Sequence, residues 1–220
     1  MKKSTFNVIA LAILLGGIAL PGYTQTDAGA KALLDKVSQT YGTYKTIQAD
    51  FSLEMKQGSQ QTNHKESGTV YMNTPEGKYR ISMGNQDIIS DGKTQWMVLK
   101  DMDEVQVTDV DPSSDAISPT NIFSFYKTGY KYMSSADETA GGKQLAVVEV
   151  TPEDTSSPYF KIKLRIDEKT HLIHDVTVFD KGGNRFVYTF KSTKANPQLA
   201  PNMFVFKQAD YPEMEIVDLR

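Results

Sequence analysis

Ile47, Ala49, Phe51, Leu53 and Met55 take every second position of a stretch whose intervening residues are Gln48, Asp50, Ser52 and Glu54. Phe160, Ile162, Leu164 and Ile166 alternate in the same way with Lys161, Lys163, Arg165 and Asp167. A period of two collects the apolar side chains of a segment on one face, so each stretch reads as a strand buried on one side and wet on the other. Strands of that kind belong to antiparallel sheets with a single covered face.

The pattern predicts strands at about Thr46 to Lys56, Ser67 to Asn73, Lys78 to Met83, Gln86 to Ser90, Gln95 to Leu99 and Glu104 to Thr108. It resumes at Lys127 to Met133, Gln144 to Thr151, Phe160 to Asp167, Leu172 to Asp180 and Arg185 to Ser192, with Phe204 and Phe206 as a last short strand. Thr74-Pro75-Glu76-Gly77, Gly84-Asn85, Asp91-Gly92 and Lys181-Gly182-Gly183-Asn184 separate these stretches by turns too short for a parallel crossover. About 11 strands form a large sheet for one domain, and a sheet of that size curls to dispose of its edges, which predicts a barrel.

One helix precedes the strands. Asp27 caps it, Ala30, Leu33, Leu34, Val37 and Tyr41 form its apolar stripe, and Gly42 stops it as a left-handed residue. Between Asp111 and Tyr126 the alternation breaks: Pro112 and Pro119 bracket a polar stretch, and Ile122, Phe123, Phe125 and Tyr126 then cluster as on a short helix or hydrophobic loop.

Residues 1–25 read as a secretory signal peptide, with Lys2 and Lys3 ahead of an apolar core from Val8 to Leu20 that is too short to span a bilayer. Cleavage falls between about Gly22 and Thr26, leaving residues 26–220 as a single exported domain. The chain has no cysteine, which excludes disulfides, thiolate ligands, a cysteine nucleophile and a lipid anchor of its own. Without Lys2 and Lys3 the formal charge moves from −3 to −5, which argues against nucleic acid as a partner.

No catalytic constellation is legible. His171 and His174 are oddly spaced on a strand and point to opposite faces, and His64 sits in polar sequence, so no metal site is predicted. The acidic run Asp101, Asp103, Glu104, Asp109 and Asp111 lacks the glycine and terminal glutamate of a calcium loop and reads as a charged hairpin edge. Ser113, Ser114 and Ser118 lie in turn-like sequence without a partnered base. Met55, Met72, Met83, Met97 and Met133 fall on predicted strands, and as a set they hint at an apolar ligand.

The order Thr74-Pro75-Glu76-Gly77-Lys78-Tyr79-Arg80, Ile88-Ile89-Ser90-Asp91-Gly92-Lys93-Thr94-Gln95-Trp96, Phe179-Asp180-Lys181-Gly182-Gly183-Asn184 and Phe204-Val205-Phe206 resembles the LolA family of periplasmic lipoprotein carriers. Ile47-Gln48-Ala49-Asp50-Phe51 looks like that family's first strand, so the resemblance covers nearly the whole chain after residue 25. It implies an unclosed antiparallel β-barrel with an N-terminal helix and a short helical lid over an apolar cavity that shelters lipoprotein acyl chains. Implied with it are a monomer without cofactor or catalysis, an inner-membrane lipoprotein-releasing ABC transporter (LolCDE-like) as donor, and a LolB-like outer-membrane acceptor.

Alternation expects Phe51, Leu53, Met55, Val70, Met72, Tyr79, Ile81, Trp96, Val98, Leu164, Ile166, Tyr188 and Phe190 to line the cavity. Ile122, Phe123 and Phe125 are expected in the lid. The resemblance further implies that Arg80 bonds to the lid as a latch, although Tyr79 replaces the commoner phenylalanine and Met83-Gly84 departs from the commoner continuation. The leading reading is a periplasmic chaperone that takes lipoproteins from the inner to the outer membrane. A lipid- or lipoprotein-sensing regulator of the cell envelope is the alternative, and an exported acyl hydrolase a third.

Overall fold

The computed structural model describes residues 27–58, 60–111 and 121–220, without the side chains of residues 60–63. The expected signal peptide, Pro112, Pro119 and the serines at 113, 114 and 118 lie outside the described residues. Helix α1 spans Ala28–Gly42. Twelve strands follow: β1 Thr46–Gln57, β2 Gln60–Asn73, β3 Lys78–Met83, β4 Gln86–Ser90, β5 Thr94–Leu99 and β6 Glu104–Asp109 in the first half. The second half holds β7 Tyr130–Ala140, β8 Lys143–Pro152, β9 Tyr159–Asp167, β10 Ile173–Asp180, β11 Asn184–Ala195 and β12 Glu215–Asp218.

All twelve strands share one sheet in the order β12-β6-β5-β4-β3-β2-β1-β11-β10-β9-β8-β7. Neighbours are antiparallel except β12, which runs parallel to β6. The ends β7 and β12 do not pair, so the sheet curls without closing. The short turns enforce this order. At Asp91-Gly92 the Asp91 carboxylate accepts from the N–H groups of Lys93 and Thr94 at 2.9 and 2.8 Å. Gly92 has φ +92°, and a Cβ there would stand 2.5 Å from the Glu76 carbonyl oxygen, so both its handedness and its space require glycine.

Helix α1 starts where its cap residue predicts: Asp27 Oδ1 accepts from Gly29 N at 2.7 Å and Ala30 N at 3.2 Å. Its end differs from expectation. Gly42 is the last helical residue and Thr43, at φ −81°, closes the helix through bonds to Thr40 and Tyr41 carbonyls, so no left-handed cap is used. The buried stripe Ala30, Leu34, Val37 and Tyr41 lies on the concave face of the sheet, where it meets Ile47, Met72, Val148, Ile162, Leu164, Ile166 and Val176 in one core. Tyr41 Oη accepts from Ile173 N at 3.2 Å, tying the helix to the backbone of β10.

The convex face has its own cover. Ile89, Val98, Val105 and Val107 are buried there, and the segment after β11 crosses them with Trp96, Phe206 and Tyr211 stacked in series at 5.5 and 5.6 Å. Phe204 and Phe206 therefore belong to a strap across the sheet and not to a strand, and β12 lies further along the chain than expected. Over β9 and β10 the convex face is ionic. The Arg165 fork binds Asp175, which is almost wholly buried, and also Glu138, which Lys163 shares. Asp175 foremost holds the Arg165 guanidinium above its ordinary pKa, and Lys163 foremost holds the Glu138 carboxyl below its own.

Candidate functional site

Register decides which side chains look into the curl. Across β1 and its neighbours Phe51 faces Gly68 and Phe190, Leu53 faces Tyr188, and Met55 faces Phe186. On the other wing Ile81 pairs with Ile88 and Ile88 with Met97. These residues share the concave face, since directly paired residues project to the same side. Toward α1 this surface is sealed core. Away from it Leu53, Ile81, Met83, Ile88, Met97, Phe186, Tyr188 and Phe190 are half-buried, and Met55 is 39 % exposed. The result is an apolar trough open at the end of the sheet where β1 turns into β2.

The segment before β7 plugs the other end. Phe123 is buried with its ring stacked on Tyr41 at 4.1 Å and tilted against Phe190 at 5.4 Å. Phe125 packs edge-on against Tyr126 and Tyr130, and Ile122 is half-buried against the core. Tyr126 is the fastener. Its hydroxyl donates to the Phe123 carbonyl at 2.9 Å and accepts from Ser38 Oγ at 3.1 Å, while its own carbonyl accepts from Tyr132 Oη at 2.6 Å. Burial pushes the Tyr126 phenol up to about 12, and burial also raises Tyr79 and Tyr188, so the lining stays uncharged across the physiological range.

The expected site residues divide by position. Phe51, Val70, Met72 and Tyr79 are buried on the concave face, and Leu53, Ile81, Tyr188 and Phe190 stand half-buried beside them. Leu164 and Ile166 face the same way but are fully closed within the α1 core. Met55 points as expected but is exposed, because β1 and β2 run past the covered part of the sheet.

Three expectations are corrected. Trp96 and Val98 face the convex side under the strap, since Trp96 pairs with Ile89 and Val107 while Met97 pairs with Ile88. Met133 also leaves the set: it pairs with Glu149 on the convex face and is 55 % exposed. Arg80 lies on that face too, with no register break on either side of β3, and its Nη2 stands 3.5 Å from Tyr211 Oη. Ile122, Phe123 and Phe125 are on the opposite side of the sheet, so the latch to these residues does not form. The expected cavity list lacked Ile88 and Phe186 altogether, and it lacked Met83 and Met97, which the sequence had singled out only as members of the methionine set. Counting parity across the Ser90-to-Gln95 connection would have found Met97, because that loop pairs Ser90 with Gln95.

An open, curled antiparallel sheet that covers an apolar trough with one helix and an aromatic plug defines a binding protein for apolar ligands. This chain belongs to the LolA family, described as outer membrane lipoprotein carrier protein LolA, whose profile matches residues 42–207. No curated protein matches the chain. Among solved structures, an uncharacterized conserved protein from Thermus thermophilus aligns at a TM-score of 0.58 and 11% identity, over 86% of this chain and 99% of its own. A LolA superfamily protein from Nitrosomonas europaea aligns at 0.43 and 12% identity over 80% and 97% of the two chains. A chain of the Pseudomonas aeruginosa MucA/MucB complex aligns at 0.48 and 16% identity, over 86% of this chain and 64% of its own. At these identities the first of the three shows a shared fold.

Proposed function

We propose that this protein is a periplasmic carrier that takes the acyl chains of lipoproteins leaving the inner membrane into its trough and conveys them to the outer membrane. The observation that carries this reading is the half-covered apolar strip of Leu53, Ile81, Met83, Ile88, Met97 and Tyr188, open at Met55. Water is a poor neighbour for such a strip, and acyl chains are a good one: each buried methylene contributes about 0.8 kcal/mol. The signal-like residues 1–25 support export, and no helix among the described residues is long and apolar enough to cross a membrane.

Loading requires the Phe123 plug to yield, because its ring occupies the space between Tyr41 and Phe190 into which the trough continues. The plug's own contacts therefore oppose cargo and keep its affinity low enough for release. A LolCDE-like transporter as donor and a LolB-like acceptor complete the route. The deciding experiment depletes the protein in its own host and fractionates the membranes. Accumulation of lipoproteins in the inner-membrane fraction is expected, and an unchanged distribution overturns the reading.

A further inference from the structure

Leu53 lies in the floor of the trough, and its partner across β2 is Glu66. Directly paired residues project to the same side, so a carboxylate stands on the concave face between the apolar pairs Phe51–Phe190 and Met55–Phe186. Glu66 is half-buried there and bends toward the β3–β4 turn, where a Cβ on Gly84 would stand 3.3 Å from Glu66 Oε2. Its other oxygen, Oε1, lies 2.5 Å from Nε2 of the exposed His64, which pairs with Met55 on the same face. A pair as open as this adds little to stability, so its place in an apolar floor, and not its bond, sets its role.

No cation offsets that charge from within the trough. Among the described residues, none of the concave positions from β11 to β5 at this end holds a lysine or arginine. Lys56 and Lys65 share the convex face with Glu54, and Lys100 bonds Asp87 on that face at 3.1 Å. Of the other acids, Asp101 in the β5–β6 turn is bonded by Asn85 at 2.9 Å, and Glu104 lies four strands along the sheet, bonded by Gln106 at 2.7 Å. The trough opens at the Met55 end and is plugged by Phe123 at the other, so an amphiphile that slides its tail in leaves its head beside Glu66.

We propose that Glu66 sets the head-group specificity of the trough: it turns away amphiphiles with an anionic head and passes acyl chains held in uncharged ester or amide linkage. The inference rests on the carrier reading. A second negative charge brought within about 5 Å of the carboxylate is repelled, and the apolar side chains around it screen that repulsion less than open water does. Acyl chains linked to a protein carry no charge at the linkage, whereas free fatty acids and acidic phospholipids carry one at the head. One carboxylate at the mouth therefore separates the two classes.

The test titrates two probes with the same tail, N-lauroylglycine and N-lauroylglycinamide, by calorimetry at about pH 8, where imidazole is ordinarily neutral and the heads differ by one negative charge. The wild-type chain is expected to bind the amide about tenfold more tightly at low salt, and the ratio to shrink in about 1 M NaCl as screening sets in. Glu66→Gln is expected to bring the ratio near one by tightening the anionic probe, and Glu66→Asp, which keeps the charge, to retain the preference. Equal wild-type affinities, a ratio that salt does not change, or a Glu66→Gln variant that weakens both probes alike overturns the inference. A preference that survives Glu66→Gln belongs to the net charge of the chain and overturns it too. The carrier reading stands in each of these cases, whereas failure of both probes to bind overturns that reading and the head-group filter with it.

Discussion

Gly68 shows how little slack a strand has where an aromatic ring crosses it. Phe51 pairs with Gly68 across β1 and β2, and a Cβ at 68 would stand 2.9 Å from Phe51 Cζ and 2.6 Å from the Ser82 carbonyl oxygen. Neither backbone nor packed ring can retreat cheaply, so Gly68→Ala should destabilise the fold by about 2 kcal/mol, read as a lower denaturant midpoint. Asp27 makes a different kind of contribution. Its hydrogen bonds to the Ser134 side chain, then to the backbone of Ser134, Ala30 and Gly29, lower its carboxyl from 3.8 to about 2. A folded pKa below the unfolded one stabilises above pH 3.8 and loses that support as pH falls through 2. Asp27→Asn keeps an accepting cap and removes the charge, so its stability should match the wild type more closely at pH 2 than at pH 6 in thermal melts. Asp27→Ala should lower the melting temperature by roughly a few degrees at neutral pH.

The strap after β11 and the plug before β7 are the two elements that alternation cannot describe. Phe206 is stacked between Trp96 and Tyr211 on the convex face, and Phe206→Ala should cost about 2 kcal/mol through lost stacking and burial, with a red shift of the single tryptophan's fluorescence. Arg80→Leu touches only this assembly among the described residues and should leave uptake of an acyl probe unchanged. Phe123→Glu acts on the other face, where a carboxylate between Tyr41 and Phe190 should unseat the plug that opposes cargo and so strengthen uptake of the same probe while the sheet persists. Most strands were legible because one apolar face per strand is a strong local signal. Trp96-Met97-Val98 was not: one face of β5 lies under the strap and the other lines the trough, so all three residues are apolar and alternation within β5 does not tell the faces apart without the register carried over from β4. The strap was illegible for a related reason. Phe204-Val205-Phe206 alternates like a strand, yet it packs by its rings on a sheet already formed.

At the scale of the whole molecule, one chain supplies a sealed core on the α1 side and an unfilled trough on the other, so cargo should stabilise the folded state by mass action. An acyl probe at about 100 times its Kd should add about 2.7 kcal/mol and raise the melting temperature by roughly 5–10 °C. A melting curve that ignores the probe would exclude binding to the native form. The curl of twelve strands was foreseeable from their number, but its failure to close was carried only by the family resemblance, since alternation along a strand is blind to which strands end a sheet. Those two ends carry a consequence for self-association. On β7, Asp27 donates its N–H to the Tyr132 carbonyl at 3.1 Å, and its carboxylate accepts from Ser134 N at 3.1 Å. The same residue that caps α1 thereby occupies backbone groups that could otherwise recruit a strand from another molecule. On β12 the strand is four residues long and bears Glu215 and Asp218, with Arg220 close behind. A protein that must expose grease to do its work is thus blunted at both places where its backbone could seed a fibre, and concentrated stocks should remain free of edge-to-edge polymer for as long as α1 stays docked.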